Sequence, residues 1–117
     1  MIIKFGVIFS LLSIIIGAFG SHALNDIIGE KMEVFKTGIQ YHMFHSLALI
    51  IVAIISKTLN IPMHHIAYLF VLGIIFFSGS LYLLSIYKYS FIGIITPIGG
   101  LFFILGWVLL LNKIFTI

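Results

Sequence analysis

In a chain of 117 residues, 62% of the side chains are apolar, and only 6 basic and 3 acidic side chains carry a formal charge. A soluble domain of this size needs a much larger charged surface, because a short chain has a high ratio of surface to volume. The composition therefore excludes a soluble globular protein and predicts that lipid solvates the outside of the molecule.

The charged and reactive residues narrow the classes of function further. The six lysines are scattered singly between apolar segments, so the net charge of +3 does not indicate a nucleic acid partner. The chain contains no cysteine, which excludes disulfides, thiolate nucleophiles and sulfur ligands for metals. Histidine is left as the main reactive residue type.

Four long segments without Asp, Glu, Lys or Arg predict an all-α integral membrane protein, a bundle of four transmembrane helices. Each crossing needs about 20 apolar residues, because a helix satisfies its own backbone hydrogen bonds in lipid. The predicted spans are residues 5–24, 38–56, 66–87 and 89–112 of a single transmembrane domain, 1–117. A cleavable signal peptide is the alternative for the first segment, but such apolar cores are about 7 to 15 residues long, so we expect a retained span.

The connection between the first two spans, residues 25–37, is too polar to cross a membrane. Its apolar residues recur at helical spacing opposite its charged ones: Ile28, Met32, Phe35 and Ile39 against Glu30, Glu33 and Lys36. This pattern predicts a short amphipathic segment lying in the headgroup layer, with a docking helix for a partner protein as the alternative.

An even number of spans places both termini on the same side of the membrane. The lysines divide equally between that side and the opposite one: Lys4, Lys57 and Lys113 against Lys31, Lys36 and Lys88. The positive-inside rule therefore hardly distinguishes the two possible orientations in the membrane. The free amino terminus favours the orientation with both termini inside the cell.

Small residues predict where the spans pack, because helices in lipid associate through close contact and interhelical hydrogen bonds. In the first span they form a stripe along one face. In the fourth, the ring of Pro97 clashes with the preceding turn and predicts a kink or irregular turn near Thr96. The predicted packing positions are Gly6, Ser10, Ser13, Gly17, Gly20, Pro97 and Gly100.

The sequence Gly-Ala-Phe-Gly-Ser-His-Ala-Leu at residues 17–24 resembles the hallmark of the domain-of-unknown-function 423 family. Residues 37–49, 77–82 (Phe-Ser-Gly-Ser-Leu-Tyr), 96–100 and 106–107 resemble the remaining blocks of that family in order. The resemblance covers nearly the whole chain and implies a small bacterial membrane protein, with the eukaryotic transmembrane protein 256 as a distant relative. It implies no particular reaction.

The resemblance also marks polar residues inside the predicted spans. Those matching the family are His22, Tyr41, His45, Ser78, Ser80, Tyr82 and Thr96. His42 stands where the family often has another residue, and Ser21 replaces the commoner alanine. Following the chain up and down places all seven in the leaflet away from the termini, as one polar cluster. A polar group at such depth is expensive unless it has an interior partner.

Four roles are open for this cluster, and interhelical hydrogen bonding that locks the bundle is the leading one. The second is a small transporter or a protein that binds a proton, an ion or a lipid headgroup, and a transport pathway would require a homo-oligomer. The third is ligation of a metal or haem by His22 and His45, and the fourth is an enzyme. No set of paired carboxylates or catalytic triad supports an enzyme. We expect neither a cofactor nor a metal, and the lipid bilayer is the only partner indicated.

The single tryptophan and one pair of adjacent histidines are interpreted as structural residues. Trp107 is predicted to be an interfacial anchor or packing residue near the terminal side, and the adjacent His64 and His65 to be solvated in a loop. The sequence as a whole predicts an uncharacterised, non-enzymatic protein of the inner cell membrane that crosses it four times.

Overall fold

Four helices, each long and apolar enough to cross a membrane, make up the protein in a computed structural model that describes residues 1–117. They are α1 (Ile2–Ala23), α2 (Asn25–Leu59), α3 (His64–Tyr87) and α4 (Ser90–Phe115). The chain has no strands, which confirms the all-α prediction. Successive helices pack antiparallel, and α2 and α3 bury the larger share of their residues.

Helix α2 begins earlier than the apolar pattern predicts. Two short turns, Asn25–Ile28 and the 3-10 turn Gly29–Lys31, lead directly into the regular helix Met32–Leu59. Gly29, the first residue of the 3-10 turn, adopts φ +52°, a conformation that other residues rarely take. The helix that carries the second span therefore begins before residue 38, because burial of Ile28 and Phe35 inside the bundle extends it beyond the apolar run.

The small residues of α1 face α2. A Cβ atom added to Gly6 would lie 2.7 Å from Ile50 Cγ1 and 3.1 Å from the Ile50 backbone nitrogen. One added to Gly20 would lie 2.7 Å from the ring of Phe35, and one at Gly17 would lie 3.3 Å from Ile39. Further along the stripe, Ser13 is buried and Ser10 donates a hydrogen bond to the Gly6 carbonyl, so α1 packs closely along this face.

Glycines also set the approach of α3 to α4. Gly73 lies against the ring of Phe103, and Gly106 lies against the ring of Phe70. Gly99 is the tightest position, because a Cβ atom there would overlap the backbone of Phe77. These contacts bring the two helices together beside an apolar core of fully buried residues: Leu49, Val52, Met63, Ile66 and Phe70.

Besides the turn Gly29–Lys31, departures from regular α-helix occur at three further places. Residues Ile16–Gly20 of α1 and Ile74–Ser78 of α3 form π-helical turns, and α4 opens with the 3-10 turn Ser90–Ile94. The irregular turn expected near Thr96 therefore lies immediately before it. Pro97 follows in the first turn of the α-helical part, Ile95–Phe115, where a missing N–H removes little from the helix.

The two ends of the bundle are formed by different connections. Met1 and Ile2 line one groove with Lys57 and His64, so the amino terminus lies beside the α2–α3 connection. At the other end, Gly29 lies beside the Lys88 side chain of the α3–α4 turn. Which end faces the inside of a cell stays a prediction.

Candidate functional site

His45 lies at the centre of the bundle with both ring nitrogens engaged. Nδ1 lies 2.8 Å from the Tyr41 carbonyl oxygen, and Trp107 Nε1 lies 2.9 Å from Nε2. A carbonyl only accepts a hydrogen bond and an indole N–H only donates one, so Nδ1 carries the proton and Nε2 accepts. The imidazole is therefore neutral and stacks on Phe103, with ring centroids 3.6 Å apart and planes 10° apart.

The bond between His45 and Trp107 corrects the predicted depths of both residues. The sequence placed His45 in the leaflet away from the termini and Trp107 near the terminal side. Residues 2.9 Å apart share one level, and each lies near the middle of its regular helix. Trp107 therefore takes the second of the two roles predicted for it, that of a packing residue, because its indole N–H has an acceptor on α2.

A second polar group lies between α2 and α3. The hydroxyl of Tyr82 and Nδ1 of His42 are 2.8 Å apart, and both residues lie largely inside the bundle. The other ring nitrogen, Nε2, is buried without a hydrogen-bond partner, and the ring lies edge-on against Phe9 of α1. His42, which the family resemblance gave no reason to select, thus bonds to α3 and packs against α1.

The serines of α3 differ in how their hydroxyls are used. Ser80 lies 2.6 Å from the Thr96 hydroxyl, a bond that ties α3 to α4, and also donates to the Phe77 carbonyl. Ser78 is completely buried, and its hydroxyl has no hydrogen-bond partner. Polar residues that appear equivalent in the sequence therefore contribute unequally to the packing.

The two serines should respond differently to substitution by alanine, as measured by the free energy of unfolding. Ser78→Ala should leave the free energy of unfolding unchanged or raise it by up to about 1 kcal/mol, since an unpaired buried hydroxyl is destabilising. Ser80→Ala, two residues away, should lower it by about 1 kcal/mol through loss of the bond to Thr96. Equilibrium unfolding in mixed micelles measures both. Equal destabilisation by the two variants would mean that Ser78 holds a partner.

His22 does not join these groups. It lies exposed at the end of α1 and makes no hydrogen bond, whereas Tyr41, Tyr82 and Thr96 lie at interhelical positions. No three His, Asp or Glu side chains of the chain come together in a metal-binding arrangement. His64 and His65 are exposed at the start of α3, not in a loop.

An open cleft of about 530 Å³ lies beside His45, between α2 and α4. These two helices make few close backbone approaches, and their side chains bridge the space between them. Aromatic rings form most of its walls, and Gly100 contributes no side chain. The lining residues are Gln40, Tyr41, Phe44, His45, Phe77, Gly100, Phe103, Ile104 and Trp107.

The sequence motifs that contain these side chains also identify the family of the protein. The sequence model of the family described as "Protein of unknown function (DUF423)" matches residues 16–100, which is most of the chain. The matched range contains every hydrogen-bonded side chain of this site except that of Trp107. The protein belongs to the DUF423 family. The resemblance of the hallmark at residues 17–24 is thereby confirmed.

Relatives of this DUF423 protein carry the name UPF0382 membrane protein. The one from Staphylococcus haemolyticus is 41% identical over 116 residues, covering 98% of this chain and 95% of the relative. YwdK of Bacillus subtilis is 43% identical over 108 residues, covering 90% and 88%. A Staphylococcus saprophyticus relative is 40% identical, covering 96% and 94%. No solved structure matches the chain.

Two participants in the site of this DUF423 protein, Trp107 and Phe103, were not predicted from the sequence. Both lie on one face of α4, four residues apart, with Gly99 one turn before them. The indole N–H was the available signal, because a Trp within a span needs a hydrogen-bond acceptor and His45 is one. The stacking of Phe103 on His45 had no comparable sequence signal.

Proposed function

We propose that this membrane protein is non-enzymatic and that its central polar residues hold the helices together. The observation that carries the proposal is the engagement of both His45 nitrogens by fixed groups of the chain, Tyr41 and Trp107. The lone pair that a metal or a transferred proton would use already accepts the indole N–H. The imidazole is thus satisfied without any ligand.

The arrangement of the other polar side chains supports the same role. The Tyr82 and His42 pair joins α3 to α2, the Ser80 and Thr96 pair joins α3 to α4, and His45 with Trp107 joins α2 to α4. Each bond therefore connects a different pair of helices. In lipid, hydrogen bonds of this kind contribute about 1 kcal/mol each.

The proposed setting is the cell membrane of a bacterium, in keeping with the bacterial membrane proteins to which the chain is similar. The bilayer itself is the proposed partner, and no nucleic acid partner is proposed. The alternative, a small transporter or a metal-binding protein that uses His22 and His45, requires a free nitrogen on His45.

Substitution of His45 distinguishes the structural role from transport or metal binding. His45→Leu should lower the free energy of unfolding by about 1 kcal/mol, because it leaves the Trp107 N–H unpaired. Trp107→Phe should lower it by a similar amount, and the double variant should lose less than the sum, since both changes break one bond. His45→Gln keeps an acceptor and should remain folded with the cellular phenotype intact.

Nitrogen NMR of the histidine ring provides a direct readout. In the wild-type protein at neutral pH we expect His45 to be the neutral tautomer protonated at Nδ1, with no change on addition of Zn²⁺. A folded His45→Gln protein that has lost the phenotype of the wild-type gene would contradict the structural role. A Zn²⁺-dependent shift of the Nε2 resonance would support the alternative function, metal binding at His45.

A further inference from the structure

The cleft between α2 and α4 opens sideways, towards the position that lipid occupies around a transmembrane bundle. Phe44 and Ile104 at its rim are each 59% exposed, and Tyr41 is 41% exposed. Its volume of about 530 Å³ falls within the roughly 300 to 1,000 Å³ typical of small-molecule sites. An apolar chain that enters from the bilayer has direct access to this space.

Polarity changes in steps along α2, from the groove between α1 and α2 to the cleft. Lys36, one turn from the start of the regular helix, is exposed and lines a neighbouring groove together with Gln40. Gln40 lies one turn further inward and Tyr41 follows it at the mouth of the cleft. No hydrogen bond joins the Gln40 amide or the Tyr41 hydroxyl to another group of the chain. Beyond them the walls are aromatic.

This order of groups matches the order of groups in a glycerophospholipid. A lysine ammonium suits the phosphate, and an amide and a phenol donate hydrogen bonds to ester carbonyl oxygens. The aromatic walls suit an acyl chain. Lys36 is available for the phosphate, since its nearest acidic partner, Glu33, is 4.0 Å away and both side chains are mostly exposed.

We propose that this cleft binds one glycerophospholipid, with an acyl chain between α2 and α4, the esters at Gln40 and Tyr41, and the phosphate at Lys36. The rim argues for a lipid and against a second copy of the chain, because helix pairs in membranes meet at small residues. Here Gly100 is the one glycine of the lining, and the exposed residues Phe44 and Ile104 are bulky. The cleft shares His45 and Trp107 with the structural group, but the proposed polar contacts with the lipid use other side chains.

The chain carries its own probe, since Trp107 is its only tryptophan and lines the cleft. Detergent-solubilised protein is titrated with phosphatidylglycerol whose acyl chains are brominated, because bromine quenches a tryptophan in contact with it. We expect quenching to saturate at one lipid per protein. Native mass spectrometry of the same sample should detect that single lipid.

Two glycine variants locate the site. Gly100→Leu fills the cleft and should abolish the saturable quenching, whereas a Cβ atom there lies 3.8 Å from the Phe77 ring, so the fold should be retained. Gly79→Leu is the matched control, because an added Cβ atom meets nothing within 4 Å. It should bind lipid as the wild-type protein does.

Polar substitutions test the recognition of the headgroup region. Gln40→Leu combined with Tyr41→Phe should weaken binding about tenfold, the effect of losing roughly one net hydrogen bond's free energy. Lys36→Gln should weaken binding of brominated phosphatidylglycerol and leave binding of brominated diacylglycerol, which lacks the phosphate, unchanged. Circular dichroism verifies that each variant remains helical.

Three results would overturn the proposal. Quenching that rises in proportion to lipid without saturation means that the cleft holds no particular lipid. Equal quenching of the wild-type protein and Gly100→Leu means that the lipid binds elsewhere. A wild-type dimer that becomes monomeric in Gly100→Leu means that a second copy of the chain covers the cleft.

Discussion

Gly99→Ala is expected to lower the free energy of unfolding by about 3 kcal/mol, the upper part of the range for overpacking a well-packed interface. The added methyl group would overlap the backbone of Phe77 on α3, and a backbone cannot rotate away as a flexible side chain can. Helices α3 and α4 must therefore separate. Equilibrium unfolding of the detergent-solubilised protein measures the loss.

Gly100→Ala provides the control within the same turn. Its methyl group would lie 3.8 Å from the Phe77 ring, an ordinary contact, and alanine favours a helix more than glycine does. We expect stability to be unchanged or raised by up to about 1 kcal/mol. If the two variants behave alike, α3 and α4 are further apart than the structure places them.

Gly20→Leu is expected to lower the free energy of unfolding by about 2 to 3 kcal/mol, because α1 contacts α2 through its small residues. A Cβ atom at this position would lie 2.7 Å from the ring of Phe35, which is itself 1% exposed and has little room to move. The rest of the leucine side chain enlarges the overlap. Cross-linking between engineered cysteines on α1 and α2 should decrease together with stability.

Ala18→Leu makes a similar enlargement at an exposed position two residues away. Ala18 borders the open groove between α1 and α2, so the added side chain has room there and stability should change by less than about 0.5 kcal/mol. A large loss for Ala18→Leu with none for Gly20→Leu would mean that α1 is rotated about its axis relative to this arrangement.

The fold could be predicted from the sequence because charge-free segments of spanning length have few alternatives in lipid. The start of α2 could not, since it depends on burial of Ile28 and Phe35 by other helices and not on the polarity of residues 25–37 itself. The small-residue stripe of α1, by contrast, is a local feature of the sequence, so a packing face could be proposed from it without knowledge of the partner helix.

The candidate site was only partly predictable, for a geometric reason. Counting residues inward from predicted helix ends gives depth to within a few residues, and that error placed His45 and Trp107 in opposite halves of the membrane. Pairing across helices also depends on rotation of each helix about its axis. The π-helical turns at Ile16–Gly20 and Ile74–Ser78 change that rotation, and hydropathy does not reveal them.

The bond between His45 and Trp107 joins residues 62 positions apart, and this separation affects how the protein is made. Helix α2 leaves the ribosome well before α4 is synthesised, so the newly inserted hairpin of α1 and α2 presents an imidazole whose partner does not yet exist. An unpaired polar group of this kind is unfavourable in hydrocarbon. Water, the insertion machinery or another polar group can pair with the imidazole in the half-made protein, until α4 is inserted and Trp107 takes that position.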